Sequence, residues 1–337
     1  MQYSAPVWLP GGNAQTIWAA LFARRVRGPR PMYRRERWDT PDGDFVDIDH
    51  LDGVAPAGRP LLVLFHGLEG SSRSHYAEAF ADFARERGLA YAVPHFRGCS
   101  GELNRAPRAY HSGDFEEIGW ILARLARAHR DAGGTDLIAV GVSLGGNALL
   151  RWAEEAGDTA AATARAVAAV CSPIDLAAGG WAIGRGFNRL VYTRMFLQTM
   201  KPKALAKLAQ HPGLFDEAAL RAARDLYEFD NVFTAPLHGY ASTEDYWARA
   251  SAKPHLHRIR IPALVLNARN DPFVPAWSLP RQDEVGSQVT LWQPAQGGHV
   301  GFPHDAPPAQ VRAMPDAVGD WLCRHLPPVS WGERRHG

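Results

Sequence analysis

The sequence predicts an α/β fold with a mostly parallel central sheet and helices on both faces. Three observations carry that prediction. Short apolar runs recur at 59–65, 89–96, 137–140, 165–171, 261–268 and 289–292; apolar rather than alternating, they read as strands covered on both sides. Stretches of helical periodicity lie between them, the order that parallel strands joined by crossovers require. Several runs end in glycine-rich turns, at 66–72, 97–101 and 141–145, where open α/β sheets gather their ligands.

Taken in order, the chain begins with an extension, 1–34, expected to pack on the domain. Pro10-Gly11-Gly12 makes a turn, and Asn13 is placed to cap a short helix with Ile17, Trp18, Leu21 and Phe22 on one face. A helix this short ordinarily packs on its own protein; the other use of such a face is at a membrane. Residues 35–51 read as a β-hairpin turning at Pro41-Asp42-Gly43-Asp44. The strand at 59–65 runs into His66-Gly67-Leu68, and helices are expected at 74–87 and 115–130. Between 176 and 254 helical segments appear, at 188–200 and 217–226 among others, with no convincing strand. This stretch reads as a helical cap inserted into one domain spanning 1–337, because strand pattern resumes at 261. A helix over 309–325 closes the chain.

Composition sets the outer limits. A chain of 337 residues, 46% hydrophobic, buries a large core. The formal net charge is +2 from 37 basic and 35 acidic residues, which gives no reason to expect nucleic acid or an electrostatic membrane dock. The basic cluster at 24–37 reads as a solvated surface segment. Three scattered cysteines, Cys99, Cys171 and Cys323, suit neither a disulfide framework nor a zinc site. The first residues have no signal-peptide pattern, and no apolar run approaches membrane-spanning length. A cytoplasmic protein with no stable membrane insertion, no metal and no cofactor is expected.

The chemistry centres on 136–150, DLIAVGVSLGGNALL. A buried strand passes through Gly141-Val142-Ser143-Leu144-Gly145 into a helix, the context that a nucleophile elbow requires. The turn exposes the Ser143 hydroxyl near the positive end of the following helix. A serine is a poor nucleophile unless a base lies within reach. Asp271, in RNDPFVP, and His299, in GGHVGF, follow later strands, giving the order nucleophile, acid, base of an α/β-hydrolase fold. His299 would accept the Ser143 proton and return it to the leaving group, and Asp271 would fix the imidazole tautomer. The amides of Leu68 and Leu144 would form an oxyanion hole, each donor worth about 3–4 kcal/mol. His66 and Gly67 in that loop, and His111 in YHSGD, are candidate substrate-binding residues, although a histidine before a helix commonly serves loop contacts.

The motifs PVWLPGGNAQTIW, HGLEGSS, PHFRGCSG, YHSGD, GVSLGGN, RNDPFVP and GGHVGF together resemble the YheT-like branch of the α/β-hydrolases, which includes eukaryotic abhydrolase-domain lipases. The likeness runs from about Pro6 to the last helix. It implies a serine esterase or lipase whose triad matches Ser143, Asp271 and His299. The expected activity is a carboxylesterase acting on short- to medium-chain acyl esters. The alternatives are an acylglycerol lipase or (lyso)phospholipase at a membrane surface, and a non-catalytic binding protein on the same scaffold.

Overall fold

A computed structural model of the chain describes residues 3–328. After helix α1 (Gly11–Leu21) come strands β1 (Tyr33–Asp39), β2 (Phe45–Leu51) and β3 (Leu61–Phe65), helix α2 (His75–Arg87) and strand β4 (Ala90–Pro94). Helix α3 (Phe115–Asp131), strand β5 (Leu137–Val142), helix α4 (Leu144–Ala156) and strand β6 (Val167–Val170) follow. Strands β7 (Ala263–Leu266) and β8 (Val289–Trp292) complete one eight-stranded sheet, ordered β1-β2-β4-β3-β5-β6-β7-β8. The hairpin β1-β2 and the pair β2-β4 are antiparallel; every pairing from β4 to β8 is parallel.

Alternation along the strands divides the core in two. Leu61, Val63 and Phe65 of β3 point to the face covered by Ile118, Ile121 and Leu122 of α3 and by Leu149 of α4. Leu62 and Leu64 point the other way, toward Phe80 and Phe83 of α2. Every residue of β5 is buried, as expected of a central parallel strand with helices on both sides.

Between β6 and β7 the described chain is helical: α5 (Leu176–Ile183), α6 (Gly186–Asn188), α7 (Arg194–Gln210), α8 (Glu217–Ala222), α9 (Leu226–Phe229), α10 (Ala235–Leu237) and α11 (Thr243–Ala250). A π-helical turn, Arg189–Thr193, joins α6 to α7. The helix expected over 188–200 thus starts earlier and continues through Pro202 to Gln210. The one expected over 217–226 breaks, because Asp225 caps a new helix by accepting from the Glu228 N–H at 2.9 Å. The last helix, α12 (Ala313–Cys323), begins later than expected, since Gln310 is held in β-bridges with Arg24 and His304.

Helix α1 departs from its reading in two ways. Pro10 is its N-cap, and Asn13 lies inside the first turn, where its Oδ1 accepts from the Tyr192 hydroxyl at 2.8 Å. Its buried face is Gln15, Thr16 and Ala19, while Leu21 and Phe22 stand exposed. Polar residues turn inward because backbone amides elsewhere need them, as described below. The basic cluster at 24–37 is also not simply solvated: Arg25 pairs with Glu78, Arg27 with Asp316, Arg35 with Asp49 and Arg37 with Asp47.

Candidate functional site

Ser143 ends β5 with φ 54° and ψ −120°, a conformation that side-chain-bearing residues rarely adopt. Its own N–H donates to the Val170 carbonyl at 2.8 Å, which ties the elbow to β6. The sharp turn requires glycine at 145, where a Cβ would collide with the carbonyl oxygens of Phe65 and His66. Helix α4 therefore starts flush against β3, and the serine is lifted above the sheet edge.

Asp271 follows β7 and His299 follows β8. The His299 Nδ1 lies 2.9 Å from Asp271 Oδ2, and its Nε2 lies 3.1 Å from Ser143 Oγ. Asp271 Oδ1 accepts from the N–H groups of Phe273 and Val274, at 2.7 and 3.3 Å. A carboxylate on one side makes Nδ1 the protonated nitrogen. The Nε2 lone pair is then left to receive the Ser143 hydroxyl proton. The Phe273 ring lies over the imidazole, with centroids 4.1 Å apart.

The 66–70 loop arrives beside the serine. The Gly67 N–H donates to the Tyr76 hydroxyl, the Glu69 N–H to the Tyr110 hydroxyl and the Gly70 N–H to the Gly67 carbonyl, each at 2.9 Å. Among the described residues the N–H of Leu68 has no protein acceptor, nor does that of Leu144 at the start of α4. Both residues line the same cavity as Ser143 and His299. Two uncommitted amides beside a hydroxyl–imidazole pair form an arrangement suited to oxyanion binding.

Two sequence-derived candidates take other positions. His66 is fully buried at the end of β3 and does not line the cavity. Its Nε2 accepts from the Phe96 N–H at 3.1 Å, so Nδ1 carries the proton donated to the Gly67 carbonyl at 2.8 Å. Burial, with His95 nearby, pushes its pKa down to about 3, so it stays neutral and acts as a strut between two strand ends. Gly67 is likewise absent from the cavity lining; a Cβ there would come within 3.1 Å of the Ser143 Cβ, a tight approach that glycine relieves. His111 does line the cavity. Its Nδ1 accepts from the Gly113 N–H at 3.2 Å and its ring packs on His238. Burial lowers its pKa to about 3, which leaves a neutral ring in the wall.

The cavity encloses about 1190 Å3 of empty space, part of it open to solvent. Its walls are mostly apolar, including Leu176, Ile183, Phe196, Met200, Phe229 and Phe233 from the helices between β6 and β7. Polar groups interrupt them at Glu69, Lys203, Lys207 and Asp230. One trio of metal-ligand type, Cys171, Asp271 and His299, gathers its donor atoms within 4.8 Å. Those atoms are engaged with protein: Asp271 with His299, and Cys171 Sγ with the Val300 N–H at 3.2 Å. Burial pushes the Cys171 thiol well up, away from the thiolate a metal would need.

Sequence reasoning missed the support behind His299. The Thr16 Oγ1 of α1 accepts from the His299 N–H at 2.8 Å, and Gln15 Oε1 accepts from the Gly297 N–H at 2.9 Å. The signal was present in Gln15-Thr16, adjacent polar residues directly before the apolar run 17–21.

Residues 60–306 match the family described as the alpha/beta hydrolase fold. Over 317 residues the chain is 39% identical to the Escherichia coli (strain K12) protein YheT, an esterase by designation only; the match covers 93% of this chain and 91% of YheT. Mouse phospholipase ABHD3 is 28% identical over 326 residues, covering 93% of this chain and 76% of its own length. Among solved structures, the Pyrococcus furiosus esterase Pf2001 superposes with a TM-score of 0.53 at 15% identity, covering 89% of this chain and 95% of the esterase. Among the described residues, no helix is long and apolar enough to cross a membrane.

Proposed function

Because the chain belongs to the α/β-hydrolase family, in its YheT-like branch, we propose that it is a serine carboxylesterase cleaving short- to medium-chain acyl esters through an acyl-enzyme on Ser143. The observation that carries this reading is the hydrogen-bonded line from Ser143 Oγ through His299 to Asp271, at 3.1 and 2.9 Å. Ser143 Oγ attacks the ester carbonyl as its proton passes to His299 Nε2. The tetrahedral oxyanion takes the amides of Leu68 and Leu144, and the imidazolium is stabilised by Asp271. His299 then protonates the leaving alcohol. In the second half-reaction His299 draws a proton from water, which attacks the acyl carbonyl and releases the acid and free Ser143.

In this reading residues 176–254 act as a helical cap that supplies the apolar wall for the acyl chain, and 1–34 is an extension that braces the domain. The three cysteines are unpaired, which suits the reducing cytoplasm. A lipid ester is the second reading, favoured by the large apolar cavity and by the phospholipase name of the mouse relative.

Hydrolysis of p-nitrophenyl esters from acetate to palmitate, with Ser143→Ala in parallel, tests the proposal. Activity peaking at one chain length and falling by about four orders of magnitude or more in the variant supports it. A folded wild-type protein with no turnover at any length, and no labelling by a fluorophosphonate, overturns it.

A further inference from the structure

The overall charge balance conceals a local separation. The 40 residues from Leu176 to Phe215 contain six lysines and arginines and no aspartate or glutamate. The helical run across α6, the π turn and α7 sorts those cations by face. Lys203 and Lys207 look into the cavity, together with Phe196 and Met200. Arg185, Arg189 and Arg194 lie exposed on the outside. Unlike the arginines at 25, 27, 35 and 37, none of these three forms an ion pair with a carboxylate among the described residues. Arg189, Arg194, Lys201 and Arg224 line a shallow outer groove whose lining contains no carboxylate; Glu228, beside it, pairs with Arg224 at 3.3 Å.

Large apolar side chains are interleaved with these arginines, and the Arg185 guanidinium lies over the Trp181 ring, 5.4 Å from its centroid. Trp181 is 44% exposed, Phe187 52%, Leu190 73% and Met195 49%. Phe187 and Leu190 are three residues apart, and most of the π-helical turn separates Leu190 from Met195; all three are exposed although the Phe187 ring touches buried Tyr192 edge-on, with centroids 6.2 Å apart. Four exposed large hydrophobic residues within fifteen positions are more than solubility favours in a monomer. Exposed arginines mixed with exposed aromatic and aliphatic side chains in one short helical stretch match the composition of a segment lying in the plane of a bilayer interface.

We propose that the outer face of Trp181–Met195 docks the protein peripherally on an anionic lipid surface. The arginines meet lipid phosphates, and Phe187, Leu190 and Met195 enter the acyl boundary. A second copy of this chain is the poorer occupant, because a two-fold contact would set three unpaired arginines against the same three. The same helical run would then face lipid on one side and the cavity on the other, giving a lipid ester a short path to Ser143. Docking stands apart from the hydrolytic reading, since it needs no turnover.

Co-sedimentation with phosphatidylglycerol and phosphatidylcholine vesicles tests it, using wild type, Ser143→Ala, the pair Arg189→Glu/Arg194→Glu, and the pair Phe187→Ser/Leu190→Ser. Circular dichroism verifies folding. Wild type and Ser143→Ala are expected to bind phosphatidylglycerol equally at low salt, to release at 0.5 M salt and to bind phosphatidylcholine far less. Each paired variant should partition about tenfold more weakly or worse. No binding to phosphatidylglycerol at low salt, equal binding to both lipids, or binding unaltered in folded paired variants overturns the proposal. A concentration-dependent dimer that the same variants dissociate also overturns it, by assigning the face to a second copy. A failure of hydrolysis alone leaves the vesicle result unchanged, so the two readings fall separately.

Discussion

Lys203 reaches across the cavity from α7 to Glu69, with Nζ 2.9 Å from Oε2, and so ties a wall helix to the loop that carries Leu68. Glu69 is held in a left-handed backbone conformation, φ 57°, directly after Leu68. Tyr110 grips it twice, accepting from its N–H and donating to its Oε1, each at 2.9 Å. The pair is thus placed to fix the direction of the Leu68 amide.

Removing the ammonium should therefore affect turnover more than binding of a short ester. Lys203→Met is expected to lower kcat for p-nitrophenyl acetate severalfold, with a smaller change in KM. The stability cost should be about 1 kcal/mol, because the lysine is partly exposed. Glu69→Gln added to Lys203→Met should recover part of the stability, since no buried charge is then left alone. A double-mutant cycle on thermal denaturation reads the coupling. Coupling indistinguishable from zero would show that the two residues do not act together.

How much of this was legible in the sequence depends on the range of the interactions involved. The sheet was readable because apolar strand runs and helical periodicity are local signals. The chain order of Ser143, Asp271 and His299 was readable because each lies in a short motif at a strand end. His66 and Gly67 sit in such a motif too, yet neither lines the cavity. A one-residue difference along a loop decides whether a group faces the ligand or the sheet, and sequence does not encode that direction locally. The orientation of α1 was misread for a related reason. Its periodicity favoured burying Ile17, Trp18, Leu21 and Phe22, but the amides of Gly297 and His299, far along the chain, take their acceptors from Gln15 and Thr16 and so draw those two inward. The charge separation in 176–215 was written in the sequence but was averaged away in the net charge.

The inward turn of Thr16 can be tested directly. Its Oγ1 donates to the Gly12 carbonyl at 2.7 Å while accepting from the His299 N–H. Thr16→Val keeps the shape and leaves a buried amide without a partner, at a cost of about 1–3 kcal/mol. Activity should fall with it, because the residue that loses its anchor is His299 itself. Thr16→Ser, which retains the oxygen, should restore most of both properties. Equal stability of the valine and serine variants in thermal denaturation would show that the bond contributes nothing.

Asp230 offers a pH-dependent test in the cavity wall. Burial raises its pKa to about 6, against the opposing effect of bonds from the Thr234 hydroxyl at 2.6 Å and the Trp247 indole N–H at 3.0 Å. A carboxyl whose folded pKa exceeds its unfolded value binds its proton more tightly when folded. It therefore costs little below about pH 4, and the cost grows as pH rises from there to about 6, above which it levels off. By neutral pH the penalty reaches about 3 kcal/mol at most. Asp230→Asn removes the charge, and Thr234 can turn its hydroxyl to accept from the new amide. The variant should melt closest to wild type near pH 4 and several degrees higher at pH 8, with most of the gap opening between about pH 4 and 6. A melting difference that stays constant across that range would mean that Asp230 does not change protonation on unfolding.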